Sequence, residues 1–205
     1  MSQFRLITTA ALCSVLLSGC SWFGGDDDDA AIQPAELVKF DPEVKVKRQW
    51  SAKVGAGARE YFQSLKPAAS SSAVFAAGHE GKVSALDVNS GKRLWSTDLE
   101  APLSGGVGYG GGLVMVGTID AQVYALNGDD GSLVWTADVS SEILSSPQSN
   151  GEVVVVQTID NKLFALDAST GEMLWQHSGD SPILTVRGIG EAIVTDNMVI
   201  SGFDS

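Results

Sequence analysis

Short apolar runs of strand length recur along the chain about 40 residues apart. Residues 74–77, 113–116 and 153–156 are almost entirely apolar, and the second and third runs are rich in Val. Such runs are typical of β-strands that are buried on both faces. A tight turn follows each run, and then comes a second strand in which small or polar residues alternate with apolar ones. The pattern therefore predicts pairs of antiparallel strands covered on both sides by neighbouring sheets.

A glycine and a tryptophan four residues apart close each copy of the repeat. A period near 40 with short strands and glycine turns is typical of a β-propeller built from four-stranded blades. We predict that each tryptophan lies between two blades, with its indole N–H bonded to a backbone carbonyl. These residues are predicted to be structural, and not to contact a ligand. The pairs are Gly91 with Trp95, Gly131 with Trp135, and Gly171 with Trp175.

The predicted fold class is therefore all-β, with about three and a half propeller blades. Closed propellers have about four to eight blades, so we expect this sequence to be the front part of a longer protein. The predicted bounds are residues 64–99 for blade 1, 103–139 for blade 2, 143–179 for blade 3 and 183–205 for the start of blade 4.

A single tryptophan motif precedes the first blade. The sequence Lys-Arg-Gln-Trp-Ser at 47–51 copies Lys-Arg-Leu-Trp-Ser at 92–96, but no other strands stand before it. In closed propellers the start of the chain often completes the last blade. We therefore predict that residues 44–55 form such a latch strand and that Trp50 is a structural tryptophan of the same kind.

The spacing of the repeat changes once, in the fourth copy. Gln157 and Gly202 are 45 residues apart instead of 40, and the extra residues fall within 181–191. Insertions into one repeat commonly form loops on the binding face. Leu184, Val186 and Arg187 are the candidate partner-binding residues there. The alternative is that Leu184 and Val186 are core residues of an inner strand and that Arg187 is solvated.

The chain begins with a targeting segment. Arg5 precedes an apolar stretch at 6–17, which is too short to span a bilayer comfortably. Residues 1–19 are predicted to be a signal peptide, and the Leu-Ser-Gly-Cys ending resembles the bacterial lipobox, in which the cysteine corresponding to Cys20 carries lipid. An ordinary signal peptide with an incidental cysteine is the alternative. Residues 20–43, with four consecutive Asp at 26–29, are predicted to be a flexible acidic tether before the propeller domain at 44–205.

Charge and motifs restrict the possible functions. A net charge of −12 argues against nucleic acid as a partner and against a polybasic membrane patch. The glycine-rich stretch 105–112 lacks the Lys-Ser/Thr pair of a phosphate-binding loop and is predicted to be turn or loop. No constellation of nucleophile and base and no metal-ligand spacing occurs. We predict a protein that is not an enzyme and that has no cofactor and no metal.

The Ala-Leu-Asp…Thr-Gly-x-x-x-Trp repeat resembles that of the quinoprotein dehydrogenase propellers. Cys20, Trp50 and the Leu-Thr-Val-Arg-Gly insertion at 184–188 narrow the resemblance to the BamB family, the lipoprotein propellers of the outer-membrane β-barrel assembly machinery. This resemblance implies an eight-bladed propeller in the complete protein. It also implies a location at the periplasmic face of the outer membrane, with the protein anchored in the lipid through acylated Cys20.

The resemblance further implies a scaffold that binds the POTRA domains of the central barrel subunit and assists folding and insertion of outer-membrane proteins. The family's Leu-x-Leu-Arg contact pattern falls on Leu184, Val186 and Arg187, with Val186 as a departure that stays apolar. A second, acidic contact loop would lie past Ser205. Two alternatives remain at this point. A quinone-dependent dehydrogenase would need calcium and usually a vicinal cysteine pair, which the chain lacks. The other is an envelope sensor or ligand-binding propeller.

Overall fold

A computed structural model describes residues 37–38, 43–56, 65–179 and 190–203. The chain divides into two compact units, Met1–Val46 and Lys47–Ser205. In the first unit the described residues are exposed and form no helix or strand. Every strand of the described chain belongs to the second unit. No helix in the described part is long and apolar enough to cross a membrane.

The second unit is built from antiparallel sheets whose strands follow one another in chain order. Three sheets have four strands each, and a further pair forms a two-stranded sheet. The prediction of an all-β protein with four-stranded blades is confirmed. The first sheet contains β1 (Ala68–Ala69), β2 (Ala73–Ala77), β3 (Lys82–Asp87) and β4 (Arg93–Asp98). The second contains β5 (Leu103–Gly110), β6 (Leu113–Thr118), β7 (Gln122–Asn127) and β8 (Leu133–Asp138). The third contains β9 (Gln148–Ser149), β10 (Val153–Thr158), β11 (Lys162–Asp167) and β12 (Met173–Ser178), and β13 (Ile193–Val194) pairs with β14 (Val199–Ile200).

The three large sheets share one register. In each, an alanine of the third strand pairs with the tryptophan of the fourth, and the ladder shifts immediately after that alanine. Such a bulge bends the outer strand and increases its twist. The pairs are Ala85 with Trp95, Ala125 with Trp135 and Ala165 with Trp175.

The hydrophobic core lies between consecutive sheets. One cluster joins Phe75 and Trp95 of the first sheet to Leu103 and Val114 of the second. Another joins Met115 of the second sheet to the third. Val114 and Met115 are adjacent in β6 and are both fully buried, one towards each neighbouring sheet. The middle strands are therefore apolar on both faces, because both faces are covered.

In the first and second sheets, the tryptophan of the fourth strand packs against the glycine turn of the following sheet. Trp95 Nε1 donates a 2.9 Å hydrogen bond to Gly128 O, and Trp135 Nε1 donates one of 2.8 Å to Ala168 O. The indole covers the turn so closely that a Cβ added at Gly171 would lie 2.7 Å from Cε3 of Trp135. Gly171 also has φ = +75°, which a residue with a side chain adopts at a cost.

Trp50 occupies the same position against the first sheet. Its Nε1 donates a 2.8 Å hydrogen bond to Val88 O, which is the repeat equivalent of Gly128. A Cβ added at Gly91 would lie 2.6 Å from the Trp50 ring. The segment 43–56 is not paired as a strand with any described residue, and the latch strand at 44–55, whose partner strands were expected beyond Ser205, stays a prediction. In the three large sheets the fourth strand pairs with the third strand of the same sheet, and the described residues include no such partner for segment 43–56.

The glycine-rich stretch 105–112 was predicted to be turn or loop, and this prediction is wrong for most of it. Residues 105–110 belong to β5, a strand that is mostly buried. A Cβ added at Gly105 would lie 2.6 Å from the backbone oxygen of Ser145, which belongs to the segment just before β9 of the third sheet. Ser104 Oγ also donates a 2.7 Å hydrogen bond to Ile143 O. The glycines are needed because two backbones approach each other directly, a use of strand glycine that has no periodic signature.

The turns between third and fourth strands are closed by aspartate side chains. Asp167 Oδ1 accepts hydrogen bonds from Ser169 Oγ at 2.6 Å and from Ser169 N at 2.8 Å. These hydrogen bonds stabilise the carboxylate and hold the pKa of Asp167 below its usual value of 3.8. Hydrogen bonds from Ser90 lower the pKa of Asp87 in the same way, and those from Ser132 lower that of Asp130.

We expect Gly171→Ala to destabilise the protein by about 2–4 kcal/mol, through positive-φ strain and overpacking against Trp135. Gly112→Ala is the matched control, since Gly112 has φ = +81° but no atom within 4 Å of an added Cβ. It should lose only about 1–2 kcal/mol, the cost of the backbone conformation. Urea unfolding of both variants measures the difference, and equal losses would contradict the proposed contact.

We also expect stability to fall in acid through the aspartate turns. A carboxyl group whose pKa is lowered by folding stabilises the native state fully above its unfolded pKa of about 3.9. That stabilisation is lost as the pH falls through the folded pKa, which lies below 3.8 for Asp87, Asp130 and Asp167. The triple Asp→Asn variant keeps an acceptor at each turn but removes this titration. Its urea midpoint should change less than that of the wild type below pH 4, and identical pH profiles would refute the assignment.

Candidate partner-binding rim

The residues predicted to carry function lie outside the described residues. Cys20 belongs to the undescribed start of the chain, and Leu184, Val186 and Arg187 fall within the undescribed segment 180–189. The structure describes both flanks of that segment. It therefore shows from which part of the sheets the segment leaves and to which part it returns.

One rim of the sheets is formed by two kinds of connection. The backbone N–H that follows each fourth strand donates to a carbonyl in the turn between the second and third strands of the same sheet. The bonds are Leu99 N to Gly81 O at 3.0 Å, Val139 N to Ala121 O at 2.8 Å, and Gly179 N to Asn161 O at 2.8 Å. We call these turns, with the connections that leave the fourth strands, the loop rim. Segment 180–189 follows Gly179 and therefore starts at this rim.

The register of β13 and β14 locates the extra residues of the fourth repeat. Val194 pairs with Val199 as Tyr109 pairs with Val114 in the second sheet. From Leu99 to Tyr109 the chain advances ten positions, whereas from Gly179 to Val194 it advances fifteen. Because Leu99 and Gly179 make equivalent hydrogen bonds, the five additional residues lie between Gly179 and Val194.

The chain is fixed to the third sheet where it returns. Gln157 is the main attachment point, since its Nε2 donates to Gly202 O at 2.9 Å and its Oε1 accepts from Ser201 Oγ at 2.7 Å. Ala192 is buried in a cluster with Val155 and residues of β11. The described chain is therefore attached to the third sheet on both sides of segment 180–189, through Gly179 before it and Ala192 after it.

The described side chains of the loop rim are predominantly acidic. Asp160 is held by several donors, including Lys162 Nζ at 2.7 Å and Ser140 Oγ at 2.9 Å. Partial burial raises the pKa of Asp160, but hydrogen bonds from Lys162, Thr158 and Ser140 outweigh it and the net shift is downward. The carboxylate is therefore ionised at neutral pH. Other acidic residues of the rim are Glu80, Glu100, Asp120 and Glu142.

These acidic positions were not among the predicted site residues. Their sequence signal is the Thr-Ile-Asp triplet at 118–120 and again at 158–160, which the repeat places on the same rim. Among the described residues, no group of three His, Cys, Asp or Glu side chains could hold a metal ion. The arrangement suits contact with a protein that carries positive charge.

The third sheet differs from the other two at its outer strand. Trp175 is 41% exposed, whereas Trp95 is 9% exposed and Trp135 is 6% exposed. Every residue of β12 is exposed. Beside Trp175 lies a groove of about 370 Å³ that includes Val153, Val194 and Met198. The described residues supply no glycine turn against which Trp175 could pack.

Comparison with known proteins gives a consistent assignment. Residues 79–205 match a family model described as outer membrane protein assembly factor BamB. The assembly factor BamB of Pseudomonas aeruginosa is 44% identical over 112 residues, which are 54% of this chain and 28% of that protein. BamB of Xanthomonas campestris pv. campestris is 38% identical over 138 residues, covering 60% of this chain and 34% of that protein. The chain thus spans about a third of the length of these relatives.

A solved structure supports the same fold. The crystal structure of BamB from Moraxella catarrhalis superposes with a TM-score of 0.61 at 28% sequence identity. The superposition covers 69% of this chain and 42% of that one. Since the family model also matches more than half of the sequence, the chain belongs to the BamB family of outer membrane protein assembly factors.

Proposed function

We propose that this protein is a non-catalytic scaffold lipoprotein of the outer-membrane β-barrel assembly complex. It binds the POTRA domains of the central barrel subunit at the periplasmic face of the outer membrane and assists folding and insertion of outer-membrane proteins. The observation that carries the proposal is the connection lengthened by five residues, which starts on the acidic loop rim and returns to a fixed position on the third sheet. Membership of the BamB family supports the choice of complex.

Leu184, Val186 and Arg187 are the proposed contact residues. Arginine is enriched in interface hot spots, where truncation costs about 2 kcal/mol or more, and Leu184 and Val186 would add apolar contact beside Arg187. The acidic side chains of the rim supply a second, longer-range component. Charged groups around a contact steer encounter and select partners more than they add affinity. A partner surface with an apolar pocket surrounded by cations, and with an acceptor for Arg187, fits both features.

The register of the fourth repeat favours contact residues over core residues. Six positions separate Leu103, where β5 begins, from Tyr109. If the five additional residues precede the inner strand, counting back six positions from Val194 makes Gly188 the sequence equivalent of Leu103. All three proposed contact residues precede Gly188, within the lengthened connection. This count supports the loop assignment over the alternative in which Leu184 and Val186 are buried.

We expect Leu184→Ser and Arg187→Ala each to weaken capture of the central barrel subunit about thirtyfold, the equivalent of the 2 kcal/mol typical of a hot spot. Both variants should melt at the wild-type temperature. Leu133→Ser and Lys92→Ala are matched controls, since both positions are exposed on other parts of the sheets. The measurements are affinity pull-down from solubilised envelopes and thermal unfolding of each single variant.

The two assignments of the loop give opposite results in this experiment. If Leu184 belongs to the core, Leu184→Ser lowers the melting temperature by several degrees and Arg187→Ala leaves capture unchanged. Wild-type capture by Arg187→Ala would remove the proposed contact role of this loop.

The proposed anchor is tested separately. Cys20 provides the thiol that accepts the lipid, and the small residues Ser18 and Gly19 fit the processing protease. We expect Cys20→Ala to abolish incorporation of radiolabelled palmitate and to leave the protein unprocessed or soluble in the periplasm. Cys13→Ala is the control, because it removes the other cysteine of the chain from within the predicted signal peptide. Undiminished label in Cys20→Ala would disprove the anchor.

A further inference from the structure

Positive charge is concentrated in one part of this acidic chain. Residues 44–96 contain nine Lys or Arg and three Asp or Glu. Residues 97–205 contain only two Lys or Arg but fifteen Asp or Glu. Although the whole chain has a net charge of −12, the first sheet and the segment before it form a basic region. The net negative charge does not exclude a basic membrane patch in this region, because electrostatic attraction acts over roughly a Debye length, about 8 Å.

Three of these cations line one groove. The segment from Trp50 to Ala56 crosses the first sheet, from the glycine turn at Gly91 to the opposite turn at Gly78. Between this segment and the sheet lies a groove of about 310 Å³. Its charged lining residues are Lys53, Lys82, Arg93 and Glu80.

One carboxylate, Glu80, lies among the three cations, so the charged lining of the groove carries a net charge of +2. Glu80 Oε1 accepts a hydrogen bond from Ala56 N at 3.0 Å. Arg93 Nη2 donates to Lys53 O at 3.4 Å, which orients the guanidinium along the segment. In the described part of the chain, no carboxylate lies within 4 Å of a charged nitrogen of Lys53, Lys82 or Arg93; the ion pairs there are Lys66 with Glu191 and Lys162 with Asp160.

We propose that this groove binds the phosphate headgroup of an anionic phospholipid and so holds the first sheet against the membrane surface. Two lysines and an arginine around a small concave site suit a compact oxyanion with several acceptor oxygens. A cluster of cations close to a membrane adds electrostatic attraction to anionic headgroups, whatever lipid anchor the chain carries. The proposal relies on the proposed function only for the location of the protein at a membrane.

Vesicle binding tests the proposal. The full chain carrying Cys20→Ala is mixed with phosphatidylcholine vesicles, with or without phosphatidylglycerol, at constant ionic strength. Binding should increase when phosphatidylglycerol is present. Lys53→Gln with Lys82→Gln should reduce this increase about thirtyfold, since each cation near an anionic surface contributes about fivefold in binding. Arg93→Gln should reduce it about fivefold.

The matched control is Lys66→Gln with Lys162→Gln, which removes the same charge outside the groove. This control should keep the preference for phosphatidylglycerol, and thermal unfolding should show that both double variants are folded. Equal binding to the two kinds of vesicle, or equal losses in the two double variants, would overturn the proposal. A glutamate-rich peptide is measured in parallel. If the peptide binds through Lys53 and Lys82 while vesicles do not, the groove serves an acidic protein segment and the lipid assignment is wrong.

The vesicle experiment contains no barrel-assembly subunit. Failure of lipid binding therefore leaves the capture experiment with Leu184 and Arg187 unaffected, and failure of capture leaves the lipid result unaffected.

Discussion

The contact between an indole and the glycine turn of the next sheet is the interaction on which the arrangement of the sheets depends. It combines burial of a large apolar ring with one satisfied N–H, and it excludes any side chain at the glycine. It recurs at Trp50, Trp95 and Trp135 with hydrogen bonds of 2.8–2.9 Å. The same contact therefore holds each described glycine turn against the preceding tryptophan, and these residues recur at a constant spacing of 40 from Trp95 onwards.

A structure with such strict repetition makes its exceptions informative. The two features assigned to function are both departures from the repeat. One is the connection after the third sheet, which is five residues longer than its equivalents although the strands after it return to register. The other is the cationic lining of the groove between the segment around Lys53 and the first sheet, to which Lys53, Lys82 and Arg93 contribute.

Much of this architecture could be predicted from the sequence, because the repeat samples each structural role several times. The strands at 73–77, 113–118 and 153–158 follow from apolar runs with turns at fixed distances. The glycines of β5 could not be assigned, since their cause is an approaching backbone more than 35 residues away. The cationic groove was missed for a similar reason: Lys53, Lys82 and Arg93 meet only after the chain has folded back. The insertion was predicted from spacing, its role in partner contact was implied by the family resemblance, and its contact residues remain a proposal.

The unequal exposure of the tryptophans has a spectroscopic consequence. Trp95 and Trp135 lie in dry interfaces, where indole emission occurs at short wavelength, whereas Trp175 is 41% exposed and should emit at longer wavelength. Any segment or protein that comes to lie on the outer face of the third sheet would shift the emission of Trp175 and leave the other two unchanged. Trp175 is therefore an intrinsic optical reporter for contacts made on the exposed face of β12.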